Sequence, residues 1–236
     1  MSLEEHLAAK DARAAAFCAP VPDRTALLVI DMQRGFIDTG AALEVPRARD
    51  IMPRVARLVE VCRTRAVPVI FTQFVYEPTI PCLRGDPFGP EHLPGPNDDP
   101  GGFGLPSGNC LIGRTGANSP EVVADLAPRP DEPMIPGHAY NKFHDTPLET
   151  ILRARDIRYL LITGVTAEIC VNDTLTAAST REFRVTAVTD GIAGLSSENE
   201  QVYFQSWRAK YARLRITDEV VDEVREFPPP ATTDAG

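Results

Sequence analysis

Short apolar, β-branched runs alternate with helical patterns of roughly ten or more residues, and this rhythm constrains the fold most strongly. TALLVID (25–31), VPVIFTQF (67–74), RYLLITG (158–164), RVTAVTDG (184–191) and LRIT (214–217) read as strands. DEPMIP (131–136) is a weaker strand, because its two prolines cannot donate to a ladder. RDIMPRVARLVEVCRTR (49–65) carries Ile51, Val55, Leu58, Val59 and Cys62 at helical spacing. TPLETILRARD (146–156) opens with Thr146 as N-cap, Pro147 at the first helical position and Glu149 completing a capping box. Helices are also expected through most of 166–183, through 201–212 and over 218–226. Strands alternating with helices mean βαβ units and a parallel sheet, and near-continuous apolar strands mean that both faces are covered. The expected fold is therefore α/β, a three-layer α/β/α sandwich with a six-stranded parallel sheet.

At 236 residues the chain fits a single domain, 1–236, with a full core. One stretch breaks the rhythm: residues 76–118 are rich in Pro, Gly, Asn and Asp and read as a long loop, either disordered or, as the favoured reading, an ordered lid or subunit contact anchored by Phe88, Phe103 and Leu105. The tail 227–236 reads as flexible. With 33 acidic against 24 basic residues the net charge is −9, which argues against a nucleic-acid binder. Only Lys10, Lys142 and Lys210 are lysines, so chemistry that needs an ammonium has few candidates. No run is long and apolar enough for a membrane span, and the first residues lack the apolar core of a signal peptide, so cytoplasmic residence is the default expectation. Cys18, Cys62, Cys82, Cys110 and Cys170 are odd in number and widely spaced, unlike a disulfide framework or zinc motif.

In a parallel sheet ligands bind beyond the carboxyl ends of the strands. Those ends carry Asp31, Gln73, the segment after Pro136, the stretch from Gly164 to Cys170, and Asp190. Asp31 ends the first strand in ALLVIDMQRGFID, where it either faces the crevice or caps a turn. Cys170 falls in the first helical turn after the strand LLITG, where unpaired N–H groups and the helix dipole favour a thiolate. That placement suits a nucleophile, although a buried packing cysteine is the alternative. Phe36, Gln73, Tyr76, Phe143 and Asn172 are candidate pocket residues: the two phenylalanines as walls for a small planar substrate, Gln73 and Asn172 as readers of amide groups. His6, His92, His138 and His144 are scattered, and no GxGxxG or Walker loop is present, so neither a metal nor a nucleotide cofactor is expected.

LLVIDMQRGF, TPLETIL, and ITGVTAEICVNDT followed by VTAVTDGIAG together resemble the isochorismatase-like cysteine hydrolases, over roughly residues 20–195. That family includes nicotinamidases and the N-carbamoylsarcosine, ureidoacrylate, biuret and triuret hydrolases. The resemblance implies a Cys–Asp–Lys triad, in which Cys170 attacks a carbonyl carbon and Asp31 takes the thiol proton. It also implies a cis peptide between Val165 and Thr166, and an oxyanion hole from the N–H groups of Thr166 and Cys170. Where the family carries its lysine, counted back from Thr146, this chain has Gly137. Three readings stay open: Lys142 bends back into the site, His138 or an arginine supplies the charge, or the chemistry is altered or lost. Glu168 also stands where relatives often carry Asp or Asn, and a carboxylate at a helix start suits the dipole.

The resemblance implies a cofactor-independent amidohydrolase that cleaves a small amide or ureide through a thioester. Ureides are favoured over nicotinamide because no metal ligands follow the second strand. The alternatives are an inactive binding or scaffold protein, and an isochorismatase-type vinyl-ether hydrolase that does not need the thiol. The family also implies a homodimer or homotetramer.

Overall fold

The computed structural model describes residues 3–76 and 110–229. Six strands form one sheet: β1 (Thr25–Ile30), β2 (Val69–Phe74), β3 (Met134–Gly137), β4 (Tyr159–Val165), β5 (Arg184–Ala193) and β6 (Ala212–Arg215). Their order is β3-β2-β1-β4-β5-β6, and all neighbours are parallel. The helices are α1 (Leu3–Phe17), α2 (Arg34–Ile37), α3 (Ala48–Thr64), α4 (Leu148–Ala154), α5 (Asn172–Thr180), α6 (Ser197–Lys210) and α7 (Thr217–Arg225).

The central strands β1 and β4 are mostly apolar because helices cover both faces of the sheet. Along β1 every residue is buried, and the side chains alternate between two cores. Leu27 and Val29 face a cluster with α3 and α7, while Ala26, Leu28 and Ile30 face one with α4, α5 and α6. The expected stripe of α3, Ile51 to Cys62, is buried against that first core. The α/β/α architecture is therefore as expected.

The differences lie at element ends. The weak strand at 131–136 forms as Met134–Gly137 at the sheet edge, where Pro136 is tolerated. Helix α4 starts at Leu148 with Pro147 as its N-cap residue, one position later than expected. Thr146 still accepts the Leu148 N–H at 3.3 Å, but its hydroxyl donates to the Lys142 carbonyl at 2.6 Å. Glu149 closes no box; it pairs with Arg181 at 3.0 Å. Helix α6 begins four residues earlier than expected, at Ser197, capped by the Ser196 hydroxyl accepting from the Asn199 N–H. Phe227, at the start of the expected flexible tail, is buried in the core beside α3 and α7. The described part of the expected 76–118 loop is tied down: Leu111 bridges to Tyr76, and the Cys110 N–H donates to Asn118 O at 2.9 Å. Phe88, Phe103 and Leu105 lie outside the described residues, as do residues 230–236. Among the described residues no helix is long and apolar enough to cross a membrane.

The strand order reverses between β1 and β4, which opens a crevice beyond their carboxyl ends. Ile30 of β1 lies level with Gly164 of β4. A Cβ on Gly164 would stand 2.0 Å from the Ile30 carbonyl oxygen, and Gly164 has φ +116°, so only glycine lets the two strands close here.

Candidate active site at the carboxyl ends of β1 and β4

Asp31 is the first residue past β1, in the left-handed region at φ +49°. It is fully buried and held by Thr72 of β2: the Thr72 hydroxyl donates to Oδ1 at 2.6 Å, and the Asp31 N–H donates to Thr72 Oγ1 at 3.2 Å. Its other oxygen, Oδ2, lies 2.8 Å from Lys142 Nζ, and both side chains are 0% exposed. A buried carboxylate is tolerable only with such a partner.

Lys142 comes from the segment after β3, and its place is set by backbone and aromatic contacts. Its N–H donates to Thr174 Oγ1 at 3.1 Å, and Thr174 in turn donates to Tyr140 O at 3.2 Å. Nζ donates to Ala139 O at 3.1 Å and stands 4.9 Å from the Phe74 ring centroid, a cation–π contact in a dry site. Phe74 stacks on Tyr140 at 5.6 Å and meets Tyr76 edge-on at 5.0 Å. Gln33, fully buried, fixes Phe74 from the other side. Its Oε1 accepts the Phe74 N–H at 2.7 Å, and its Nε2 donates to Phe74 O and Pro120 O, each at 2.9 Å. The side-chain amide thus acts as one more strand residue.

Cys170 lies in a π turn, Ala167–Val171, that runs directly into α5. The turn closes through the Val171 N–H to Thr166 O at 3.1 Å, a widened geometry that recurs at functional sites. The peptide Val165–Thr166 before it is cis, as the resemblance implied. Cys170 is buried, in the electrostatic field of Asp31 and Lys142. Burial pushes its thiol pKa well above the ordinary value, the Asp31 charge raises it further, and Lys142 opposes both. The resting group is therefore a neutral thiol near a carboxylate that is itself paired with Lys142.

Asp31, Lys142 and Cys170 are thus brought together, with Thr166 beside them. Gly137 ends β3 level with Phe74, and a Cβ there would press on Thr146 at 3.0 Å. The ammonium at Asp31 comes from Lys142, five positions further on. His138 packs perpendicular to His144, with centroids 6.2 Å apart.

The expected pocket residues divide. Phe36 and Tyr76 gather around Phe74, Phe36 at 6.4 Å between centroids. Phe143 does not face Phe36 across a substrate: it lies in the other core, packed on Phe183 at 5.8 Å with Arg181 over its ring. Asn172 spends its carbonyl on the Trp207 N–H at 3.0 Å, and Gln73 donates to Pro120 O at 2.8 Å, so both amides serve the fold. Asp190 caps Thr217 at 2.7 Å. Glu168 accepts the Leu195 N–H at 2.8 Å and anchors the loop after β5.

Thr72, Gln33, Phe74 and Thr174 are contacts that reading the sequence missed. A signal existed for the first two: polar residues at the mouth of otherwise apolar strands must find partners when buried. Cys110 is a further buried thiol close to the ion pair, pushed up to about 12 by burial first and by Asp31 second. Among the described residues no group of three or more His, Cys, Asp or Glu side chains is placed to hold a metal ion.

A parallel α/β sandwich with a buried Cys, Asp and Lys at its switch point defines a hydrolase class, and the comparisons agree. The isochorismatase domain matches residues 25–219, so the chain belongs to the isochorismatase family of hydrolases. Its relatives include amidohydrolases. Ureidoacrylate amidohydrolase RutB of Methylorubrum extorquens is 30% identical over 166 residues, 68% of this chain and 66% of the relative, just under two thirds of that protein's length. Among solved structures, a cysteine hydrolase from Pseudomonas syringae pv. phaseolicola superposes with a TM-score of 0.75 at 24% identity, over 89% of this chain and 96% of the other. N-carbamoylsarcosine amidase from Thermoplasma acidophilum superposes with a TM-score of 0.64 at 25% identity, over 83% and 97%.

Proposed function

We propose that the chain is a cysteine amidohydrolase that cleaves a C–N bond of a small ureide or amide, with Cys170 as nucleophile, Asp31 as general base and acid, and Lys142 as the cation of the triad. The observation that carries this reading is the fully buried contact of 2.8 Å between Lys142 Nζ and Asp31 Oδ2, close enough to the buried Cys170 thiol for both charges to act on it. As Cys170 attacks the carbonyl carbon, its proton passes to Asp31. Charge moves from sulfur to the substrate oxygen, where the N–H groups of Thr166 and Cys170 receive it. Collapse breaks the C–N bond, and Asp31 returns the proton to the departing nitrogen. Asp31 then takes a proton from water, which attacks the thioester and frees the thiol. Lys142 keeps the carboxylate poised through both halves and limits the energetic cost of negative charge in a dry site.

The ureide preference rests on relatives whose names specify ureido or carbamoyl substrates, ureidoacrylate and N-carbamoylsarcosine. The reading includes a cytoplasmic location, in keeping with Cys18, Cys62, Cys110 and Cys170 all being free thiols. It also includes a homodimer or homotetramer, to be measured by light scattering.

Ammonia release should be assayed across small amides and ureides with the parent chain and with Cys170→Ser. The expected result is turnover in the parent that falls by about 10³-fold or more in Cys170→Ser, together with a trapped acyl adduct on Cys170 seen by mass spectrometry. Turnover retained by Cys170→Ser would point to ether hydrolysis, and a parent inert on every substrate would point to a scaffold.

A further inference from the structure

At the opposite, amino-terminal edge of the sheet a cavity of about 1140 Å³ opens beneath α1. It is of the size that holds a small molecule. Its lining contains seven of the chain's basic residues and one acidic residue, Glu182, in a protein whose net charge is −9. Composition therefore does not account for it. Of the three lysines, Lys10 and Lys210 are both here.

The arginines are held in a row by the fold. Arg24 precedes β1, Arg158 precedes β4, and Arg184 opens β5, three neighbouring strands. Their backbones are stitched together: the Arg158 N–H donates to Arg24 O at 2.8 Å, and the Arg184 N–H to Arg158 O at 2.9 Å. Adjacent strands lie about 4.8 Å apart, so like charges side by side repel. Relief is incomplete. Arg24 and Arg158 share one carboxylate, Asp156, at 2.9 and 3.2 Å. Arg184 donates to the Tyr159 hydroxyl instead of a carboxylate, and Arg13 and Lys210 form no ion pair with a described residue. Arg208, also in the lining, is taken up by Asp11 and Glu4. Beside the cations Phe17 is 60% exposed, with the Arg184 guanidinium 3.9 Å from its ring centroid. An uncompensated cluster of forked donors next to an exposed ring matches one ligand chemistry: several phosphate charges attached to an aromatic ring system.

We propose that this cavity binds a nucleoside di- or triphosphate, its phosphates on the Arg13, Arg158, Arg184 and Lys210 side and its base against Phe17. The site is separate from Cys170, since a strand the length of β4 puts about 20 Å between the two ends of the sheet. Helix α1, which forms part of the lining, lies outside the matched family domain, residues 25–219.

Calorimetric titration of the full chain with ATP, and separately with inorganic tripolyphosphate, tests this. The expected result is saturable ATP binding that weakens at least about tenfold in Arg13→Glu/Lys210→Glu, the scale of losing charge-assisted hydrogen bonds. Both positions are exposed, so the variant keeps its fold, and its amidase rate stays that of the parent. Phe17→Ala should weaken ATP and leave tripolyphosphate unchanged. An ATP affinity equal in parent and double variant, or no saturable ATP binding up to about 5 mM, would overturn the proposal. Tripolyphosphate binding as tightly as ATP, with Phe17→Ala indifferent, would overturn the assignment to a nucleotide.

Discussion

The two ends of this sheet handle charge in opposite ways. At the carboxyl ends a single Asp–Lys pair is wholly buried, and each partner has several further bonds that fix its position. At the amino ends arginines crowd a surface cavity, and Arg24 and Asp156 are each about half exposed, at 53%. Water screens the second set, so its members are individually replaceable and collectively attractive to an anion. The first set has no water to fall back on. Removing either partner there would leave the other buried without a counter-charge.

The largest effect expected is at Lys142. Lys142→Ala leaves the Asp31 carboxylate buried without its cation and should lower the unfolding free energy by about 3–5 kcal/mol, read from urea melts. Ammonia release should fall by at least about 10²-fold in the same variant. Asp31→Asn/Lys142→Met separates the two roles: most of the stability should return and the activity should not. Recovery of neither, or of both, would break the distinction between a structural pair and a chemical one.

Thr72→Val comes next. It removes the donor to Asp31 Oδ1 at nearly constant shape, and about 1–3 kcal/mol of stability should go with it. The rate should drop as Asp31 loses its orientation. An unchanged rate would mean that Lys142 alone aims the carboxylate.

Cys62 sharpens the comparison from between the two ends. It is buried on α3, and burial lifts its pKa from 9.0 to about 12 with no cation to oppose the rise. The unfolded chain therefore ionises first. The stabilising contribution is complete below pH 9.0 and is lost as the pH climbs through the window toward about 12. Urea midpoints should fall between about pH 8 and about pH 10.5, and Cys62→Val should show a shallower fall than the parent. Equal slopes would remove Cys62 from the alkaline limit.

The smallest effect belongs to the amino end. Arg24→Ala breaks a half-exposed pair and should change stability by less than about 1 kcal/mol. A loss as large as that of Lys142→Ala would show that the two ends do not differ in the way burial suggests.

Much of the layout was legible in the residues. Buried parallel strands are apolar runs, and helices between them carry stripes, so the six strands, Asp31 at the end of β1 and Cys170 in the turn of helix after β4 could be read from the residues. Helix ends were less legible, because Thr146 has two possible partners and the fold used its hydroxyl for the Lys142 carbonyl. The expected substrate walls also parted, since Phe36 and Phe143 turn to opposite faces of the sheet.

By itself the sequence determined the α/β architecture, the chemistry available at the strand ends and the scarcity of lysine, since periodicity and composition are local properties of the chain. Which cation meets Asp31 was decided by tertiary structure. Counting along the chain points to Gly137, but the segment after β3 folds back through Thr174, Tyr140 and Phe74 and delivers the Lys142 ammonium to within 2.8 Å. The arginine row at the other end is likewise invisible in sequence, because Arg24, Arg158 and Arg184 become neighbours only when β1, β4 and β5 pair side by side. Spacing in sequence says nothing of distance across a sheet, where register and long-range packing place the charges.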